Sequence, residues 1–346
     1  MPEDVEGPPA YVHRAKKPPP DLQMGGGSFD RPPALRVLRR LRMTAHTLIF
    51  AISGYDYMAE GLVQACAAER GVVERSTFPD GEHYLRIESN VLDRHVVAIG
   101  GTISDAATLE LYDLACALIE NGAETLTLIV PWYGGATMDR ASKSGESVTA
   151  KNRARIFSSI PPAKNGNQIL LLDLHTEGIP HYFEGSIHPV HVYGRPVIEP
   201  LAREFGGASF ILGSTDAGRA KWVESLANSL GVPAAFVYKR RLGPAETAVT
   251  AVSTKLDGET VVIYDDMIRT GGSLMNAARA YREAGAGRLV AIATHGVFPN
   301  DAFERIQSSG LFDAIACTDS HPNALSLRDR GLIVRPVAEL FCRYLR

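Results

Sequence analysis

Apolar residues in this chain come in short blocks, and two kinds of block alternate. Thr47–Ile52, Val96–Gly100, Leu126–Val130 and Gln168–His175, the last ending in polar residues, are rich in aliphatic side chains, the pattern of strands buried on both faces. Runs of the same kind recur at Val190–Tyr193, Ser209–Leu212, Ala234–Val237, Val261–Tyr264, Leu289–Thr294 and Phe312–Cys317. Between them lie stretches that are apolar at helical spacing. One runs from about Tyr57 to Arg70, and one from Asp105 to Glu120 with Ser104 placed as its cap. Others are Ala217–Leu230, closed by Gly231-Val232-Pro233, and Ser273–Tyr281, which stops at Gly285; Val337–Leu345 is a closing helix. Alternation of strand and helix in both halves predicts an α/β protein with mainly parallel sheets flanked by helices. The matching order of elements predicts duplication of one unit, with a boundary near Gly194-Arg195-Pro196 and domains over 44–194 and 195–346. Residues 1–43 carry Pro8-Pro9, Pro18-Pro19-Pro20 and Gly25-Gly26-Gly27, and read as a disordered or loosely packed leader.

A length of 346 residues accommodates two domains of ordinary size. With 45% hydrophobic and 22% charged residues the composition is that of a soluble globular protein. The formal net charge of −3 supplies no global basic field, which argues against nucleic acid as a partner and leaves anionic substrates to local clusters of Lys and Arg. No apolar run approaches the roughly 20 residues of a membrane span. Cys66, Cys116, Cys317 and Cys342 are far apart and form no metal-type pair, so they are expected to be reduced core residues, which points to the cytoplasm.

The chemistry concentrates in Val261–Ser273. A buried strand leads to two adjacent carboxylates, Asp265 and Asp266, then to Thr270, Gly271, Gly272 and Ser273, where a helix begins. Unpaired N–H groups at a helix start bind phosphate, and glycines allow its close approach. Carboxylates repel phosphate but accept hydrogen bonds from ribose hydroxyls, or hold a hydrated Mg²⁺. The combination suits a ribose phosphate. An ordinary strand–turn–helix junction with acidic caps is the competing reading of so short a motif.

The segment Asp265–Ser273 resembles the ribose-5-phosphate loop of type I phosphoribosyltransferases and of ribose-phosphate diphosphokinases (phosphoribosyl-pyrophosphate synthetases). Other segments resemble only the second family, and the likeness extends from about Leu48 to the C-terminus. Phe78-Pro79-Asp80-Gly81-Glu82 is similar to that family's adenine-holding segment, which implies that Phe78 stacks on the base while Asp80 and Glu82 face its edge. In the family this segment serves a neighbouring subunit, so the likeness implies a homo-oligomer. Pro131–Arg140 is similar to a segment whose Arg and Gln contact ATP phosphates; here Thr137 and Met138 stand in those places, leaving Arg140 as a neighbouring cation. Asp173-Leu174-His175 and Gly213–Gly218 imply His175 and Asp216 as the Mg²⁺ side of the site, although Thr215 and Arg219 stand where the family has Pro and Gly. Tyr238-Lys239-Arg240-Arg241 resembles the mobile catalytic loop, which implies Lys239 and Arg241 as catalytic cations. The resemblance therefore implies two tandem phosphoribosyltransferase-like domains that transfer diphosphate from MgATP to ribose 5-phosphate. No Walker loop is present, so ATP is not held in the P-loop manner. A phosphoribosyltransferase that consumes the activated sugar, and a non-catalytic regulatory homologue, are the alternatives.

Overall fold

The computed structural model describes residues 47–241 and 247–345. The leader, and Leu242-Gly243-Pro244 of the basic loop, lie outside the described residues.

The first half runs β1 (Thr47–Ala51), α1 (Asp56–Cys66), β2 (Glu69–Arg70), the hairpin β3 (Val73–Thr77) and β4 (His83–Ile87), then β5 (His95–Ile99) and α2 (Asp105–Glu120). It continues through β6 (Thr125–Val130), α3 (Thr149–Ser158), β7 (Asn167–Leu172) and β8 (Ile187–Val192). Its main sheet has the order β2-β1-β5-β6-β7-β8, with every neighbouring pair parallel. The expected helix from Tyr57 to Arg70 ends at Cys66, because Ala67 turns into the left-handed region at φ 52° and β2 follows at once. Ser104 caps α2 as expected, its Oγ accepting from the Ala107 N–H at 3.1 Å.

The second half repeats this plan. After α4 (Arg195–Gly206) come β9 (Ile211–Ser214), α5 (Ala220–Leu230), β10 (Ala234–Ala235) and the hairpin β11 (Val237–Arg241) and β12 (Thr247–Val252). Then follow β13 (Thr260–Ile268), α6 (Gly272–Glu283), β14 (Arg288–Gly296), α7 (Ala302–Ser308), β15 (Ala314–Thr318), α8 (Asn323–Ser326) and β16 (Ile333–Arg335). The sheet order is β10-β9-β13-β14-β15-β16, again parallel throughout. Position for position this is the order of the first sheet, with an antiparallel hairpin inserted before the third strand in each. Successive residues of β13 feed opposite faces: Val261 and Ile263 join one core cluster, Val262 and Tyr264 the other. A strand covered by helices on both sides must be apolar on both sides, which is why its sequence shows no alternation.

The chain end does not stay with the second sheet. Residues 337–345 form α9 (Ala338–Phe341) and a 3-10 turn (Cys342–Tyr344) rather than one helix. Val337, Ala338, Phe341 and Leu345 are buried in the core of the first half, where α9 packs on α1. That return corrects the expectation of four reduced cysteines. Cys66 in α1 and Cys342 are joined in a disulfide with Cα atoms 5.5 Å apart, across 276 residues of sequence. Cys116 and Cys317 are free, and Cys317 is buried. Separation along the chain says nothing about separation in space once the terminus folds back.

Candidate active site

β7 and β13 both end at one cleft between the halves, at the carboxyl ends of parallel strands where α/β sheets collect ligands. Its walls include Asp173, His175, His191 and Tyr193 from the first half and Arg219, Trp222, Tyr264 and Asp266 from the second. A second, smaller hollow shares Asp173 and His175 and extends past Trp132, Tyr133, Ala136, Met267 and His295. His175 therefore stands between the segment resembling the nucleotide-phosphate loop and the acid pair.

The acid pair does not follow its strand, as the sequence pattern implied, but lies within it: β13 continues to Ile268. Pairing of Asp265 with Ala293 and of Met267 with His295 fixes the backbone on both sides of Asp266. Asp265 accepts from the Thr215 hydroxyl at 2.7 Å and from the Asp266 N–H at 2.9 Å. Asp266, 5% exposed, lies 2.8 Å from His175 Nδ1. Burial, followed by the neighbouring charge of Asp266, pushes the Asp265 carboxyl well above the ordinary range. Burial also opposes ionisation of Asp266, but the hydrogen bond from His175 and the charge of Arg219 outweigh it and hold that carboxyl low. Two buried acids with opposed tendencies share one charge more readily than two.

Arg219 was noted in the sequence only as a departure from glycine. In the structure its guanidinium makes a close ion pair with Asp266, lies 3.9 Å from Asp265, and stands 2.8 Å from His175 Nδ1. Nothing in its sequence context separates it from a surface arginine at a helix start.

Asp173 supports this arrangement from below. Its backbone has φ 35°, a strained value for a residue with a Cβ. It accepts from the Gly194 N–H at 2.9 Å and from the Thr294 hydroxyl at 2.5 Å, while Tyr264 and Thr294 share a further hydroxyl contact at 2.8 Å. A Cβ at Gly194 would come within 2.5 Å of the Asp173 carboxylate, so the domain junction needs glycine there. His295, near the end of β14, is buried between the Asp173 carbonyl (3.2 Å) and the Ser320 hydroxyl (2.8 Å). Burial lowers its pKa to about 4, so it serves this network as a neutral ring.

Thr270 to Ser273 form the turn into α6. Gly271 is the N-cap at φ 78°, and no side chain caps the helix. The first N–H groups of α6 therefore face outward with Thr270, Gly272 and Ser273, which are exposed. A Cβ at Gly271 would meet Ile306 at 2.4 Å, so glycine is required for conformation and for space.

The remaining expected residues are placed elsewhere. Phe78, Asp80 and Glu82 form the tip of the hairpin β3–β4, where Phe78 is 48% exposed and meets Tyr84 edge-on. Asp80 accepts from the Glu82 N–H at 3.1 Å, which shapes the turn. Arg140 is exposed beyond the Trp132 segment. Asp216 accepts from the Gly218 N–H at 3.0 Å in the 3-10 turn before α5. Lys239 and Arg241 lie on β11, paired in register with Val249 and Thr247, and β11 runs beside the turn Ala217–Arg219. Sequence reading did not assign Asp173, Tyr264, Thr294 or Arg219 to the site, although Asp173 stands within the Asp-Leu-His match and Arg219 was visible as a departure from glycine.

Known proteins resemble this chain along most of its length. Residues 47–160 match the N-terminal domain of ribose phosphate pyrophosphokinase, and residues 215–336 match the phosphoribosyl synthetase-associated domain. The ribose-phosphate pyrophosphokinase of Synechococcus elongatus is 31% identical, over 89% of this chain and 90% of its own length. That of Methanopyrus kandleri is 32% identical, over 84% of this chain and 97% of its own. The crystal structure of phosphoribosylpyrophosphate synthetase from Mycobacterium smegmatis superposes with a TM-score of 0.76 at 26% identity, covering 87% of this chain and 98% of that one. Duplicated sheets, a cleft at their carboxyl ends and relatives matched along nearly their full length lead to one assignment: this chain is a member of the ribose-phosphate pyrophosphokinase family.

Proposed function

We propose that the protein transfers the diphosphate of MgATP to the 1-hydroxyl of ribose 5-phosphate, releasing AMP and forming phosphoribosyl pyrophosphate. The observation that carries this reading is the meeting of His175, at the end of β7, with Asp266, near the end of β13, in one cleft between the halves. In this reading the outward N–H groups and hydroxyls of Thr270, Gly271, Gly272 and Ser273 hold the 5-phosphate. Asp265 and Asp266 accept from the ribose hydroxyls, which orients the anomeric oxygen toward the β-phosphorus. Lys239 and Arg241 stabilise the charge spread over the transferred group. Phe78, Asp80 and Glu82 take the adenine of a neighbouring subunit's nucleotide in a homo-oligomer, and Arg140 stands on the phosphate side. The two halves act as domains, 44–194 and 195–346, and the proposed compartment is the cytoplasm.

The implied Mg²⁺ fits the donor set. Among the described residues no group of three or more His, Cys, Asp or Glu side chains forms a metal cage by itself. A cation carried mainly by substrate phosphates needs only one or two protein ligands, and His175 and Asp216 are the proposed ones. When bound, it would neutralise phosphate charge.

The test is AMP release from MgATP and ribose 5-phosphate. Turnover is expected, and Lys239→Ala should lower kcat by several powers of ten with little change in ribose 5-phosphate binding. A near-parental rate in that variant removes the hairpin from the mechanism. Binding without AMP selects the non-catalytic reading, and activity only with preformed activated sugar and a base selects the phosphoribosyltransferase.

A further inference from the structure

We infer that Arg219 is a built-in counter-cation of the acid pair, which ribose 5-phosphate and its accompanying divalent ion must displace on entry. The inference rests on the proposed function and adds a gate to that same site. Three of the four oxygens of the pair already have partners. One Asp265 oxygen takes the Thr215 hydroxyl and the other the Asp266 N–H, while one Asp266 oxygen is shared by His175 and Arg219. A carboxylate oxygen accepts about two hydrogen bonds, so the Asp266 oxygen shared by His175 and Arg219 is filled until the guanidinium leaves. Among the described residues the guanidinium is also the Lys or Arg group paired with these acids, 3.9 Å from Asp265 and closed on Asp266, so it does electrostatic work that a bound cation would do. Its side chain keeps 18% exposure, and its anchor is the short turn Ala217–Arg219 beside β11 rather than the interior of a helix. It is therefore placed to swing out as substrate enters, and the hairpin carrying Lys239 and Arg241 lies next to the segment that moves.

The exchange is one of charge. A planar monocation leaves the acid pair and His175; two neutral hydroxyl donors take its place on the pair, and the divalent cation would be held on the His175 side. Resting affinity for the sugar and for the metal is reduced by the stability of the internal pair, as in any equilibrium in which the binding-competent form is a fraction of the whole.

The experiment uses the full chain. Calorimetry measures ribose 5-phosphate binding, and electron paramagnetic resonance of free Mn²⁺ measures divalent affinity, for the parent, Arg219→Gly and Arg219→Gln. Both variants should bind the sugar phosphate and Mn²⁺ about tenfold more tightly, a change of about 1.4 kcal/mol. Parallel thermal melts confirm folding, and the Gln variant, which keeps a polar side chain of moderate length, covers the case in which the glycine loosens the turn. If the parent makes AMP but neither variant binds more tightly, the counter-cation role is overturned. Weaker binding in both would mean instead that Arg219 holds substrate directly. If the parent neither binds ribose 5-phosphate nor makes AMP, the proposed function fails and the gate falls with it.

Discussion

Gly271 shows how much a single residue decides in this protein. It turns the chain out of β13 at φ 78°, and its missing Cβ leaves room for Ile306. A left-handed conformation costs an alanine about 1 kcal/mol, and forcing a methyl into an occupied space costs about 1–3 kcal/mol more. Gly271→Ala should therefore lower stability by about 2–4 kcal/mol in denaturant melts and weaken ribose 5-phosphate binding more than tenfold, since the turn must shift. A variant with unchanged binding would show that the cradle is not built on this turn. Gly271 was legible in the sequence because a glycine pair between a strand and a helix marks a turn that a phosphate can approach closely. Arg219 was not, since its role depends on carboxylates 46 and 47 positions away that only folding brings near.

Among elements, the two hairpins carry the least expected relationship. Val73–Ile87 and Val237–Val252 occupy the same place in the two copies of the fold, between the second and third strand positions. One displays Phe78, Asp80 and Glu82 at its exposed tip; the other carries Lys239 and Arg241. In the proposed function this one structural element, present twice, serves two uses. Phe78→Ala should leave the melting temperature within about a degree, because a half-exposed ring contributes little to packing. It should raise the KM for ATP severalfold while leaving that for ribose 5-phosphate unchanged. Equal effects on both would remove the tip from nucleotide binding. Pro79-Asp80-Gly81 was recognisable as a turn between extended segments, while its equivalence to the basic segment required both sheet orders.

At the scale of the whole molecule, the halves are joined by polar contacts as well as by the chain. Thr294 and His295 of the second half bond to Asp173 of the first, Tyr55 donates to the Ser320 carbonyl at 3.1 Å, and Tyr57 donates to that of Asp319 at 2.5 Å. The returning terminus adds α9 and the Cys66–Cys342 bond. Closing so long a loop restricts the unfolded chain strongly, a stabilisation of about 2–5 kcal/mol for disulfides of this kind. The double variant Cys66→Ser, Cys342→Ser should melt several degrees lower than the oxidised parent and match the parent melted in reductant. Identical melts for all three would show that the bond adds nothing.

Local sequence determined the central strands of both sheets and the glycine turn into α6, because propensity, apolar pattern and glycine placement act over a few residues; α4, α7, β2 and β16 went unread. It also determined the doubled α/β plan, since the same order of blocks occurs twice. Tertiary structure alone decided that a terminal segment crosses to the other half and pairs two cysteines, that an arginine closes on the acid pair, and that Asp173 braces the junction. Those outcomes depend on distances between residues remote in sequence, which are set by the packing of sheets and helices and leave no periodic trace along the chain.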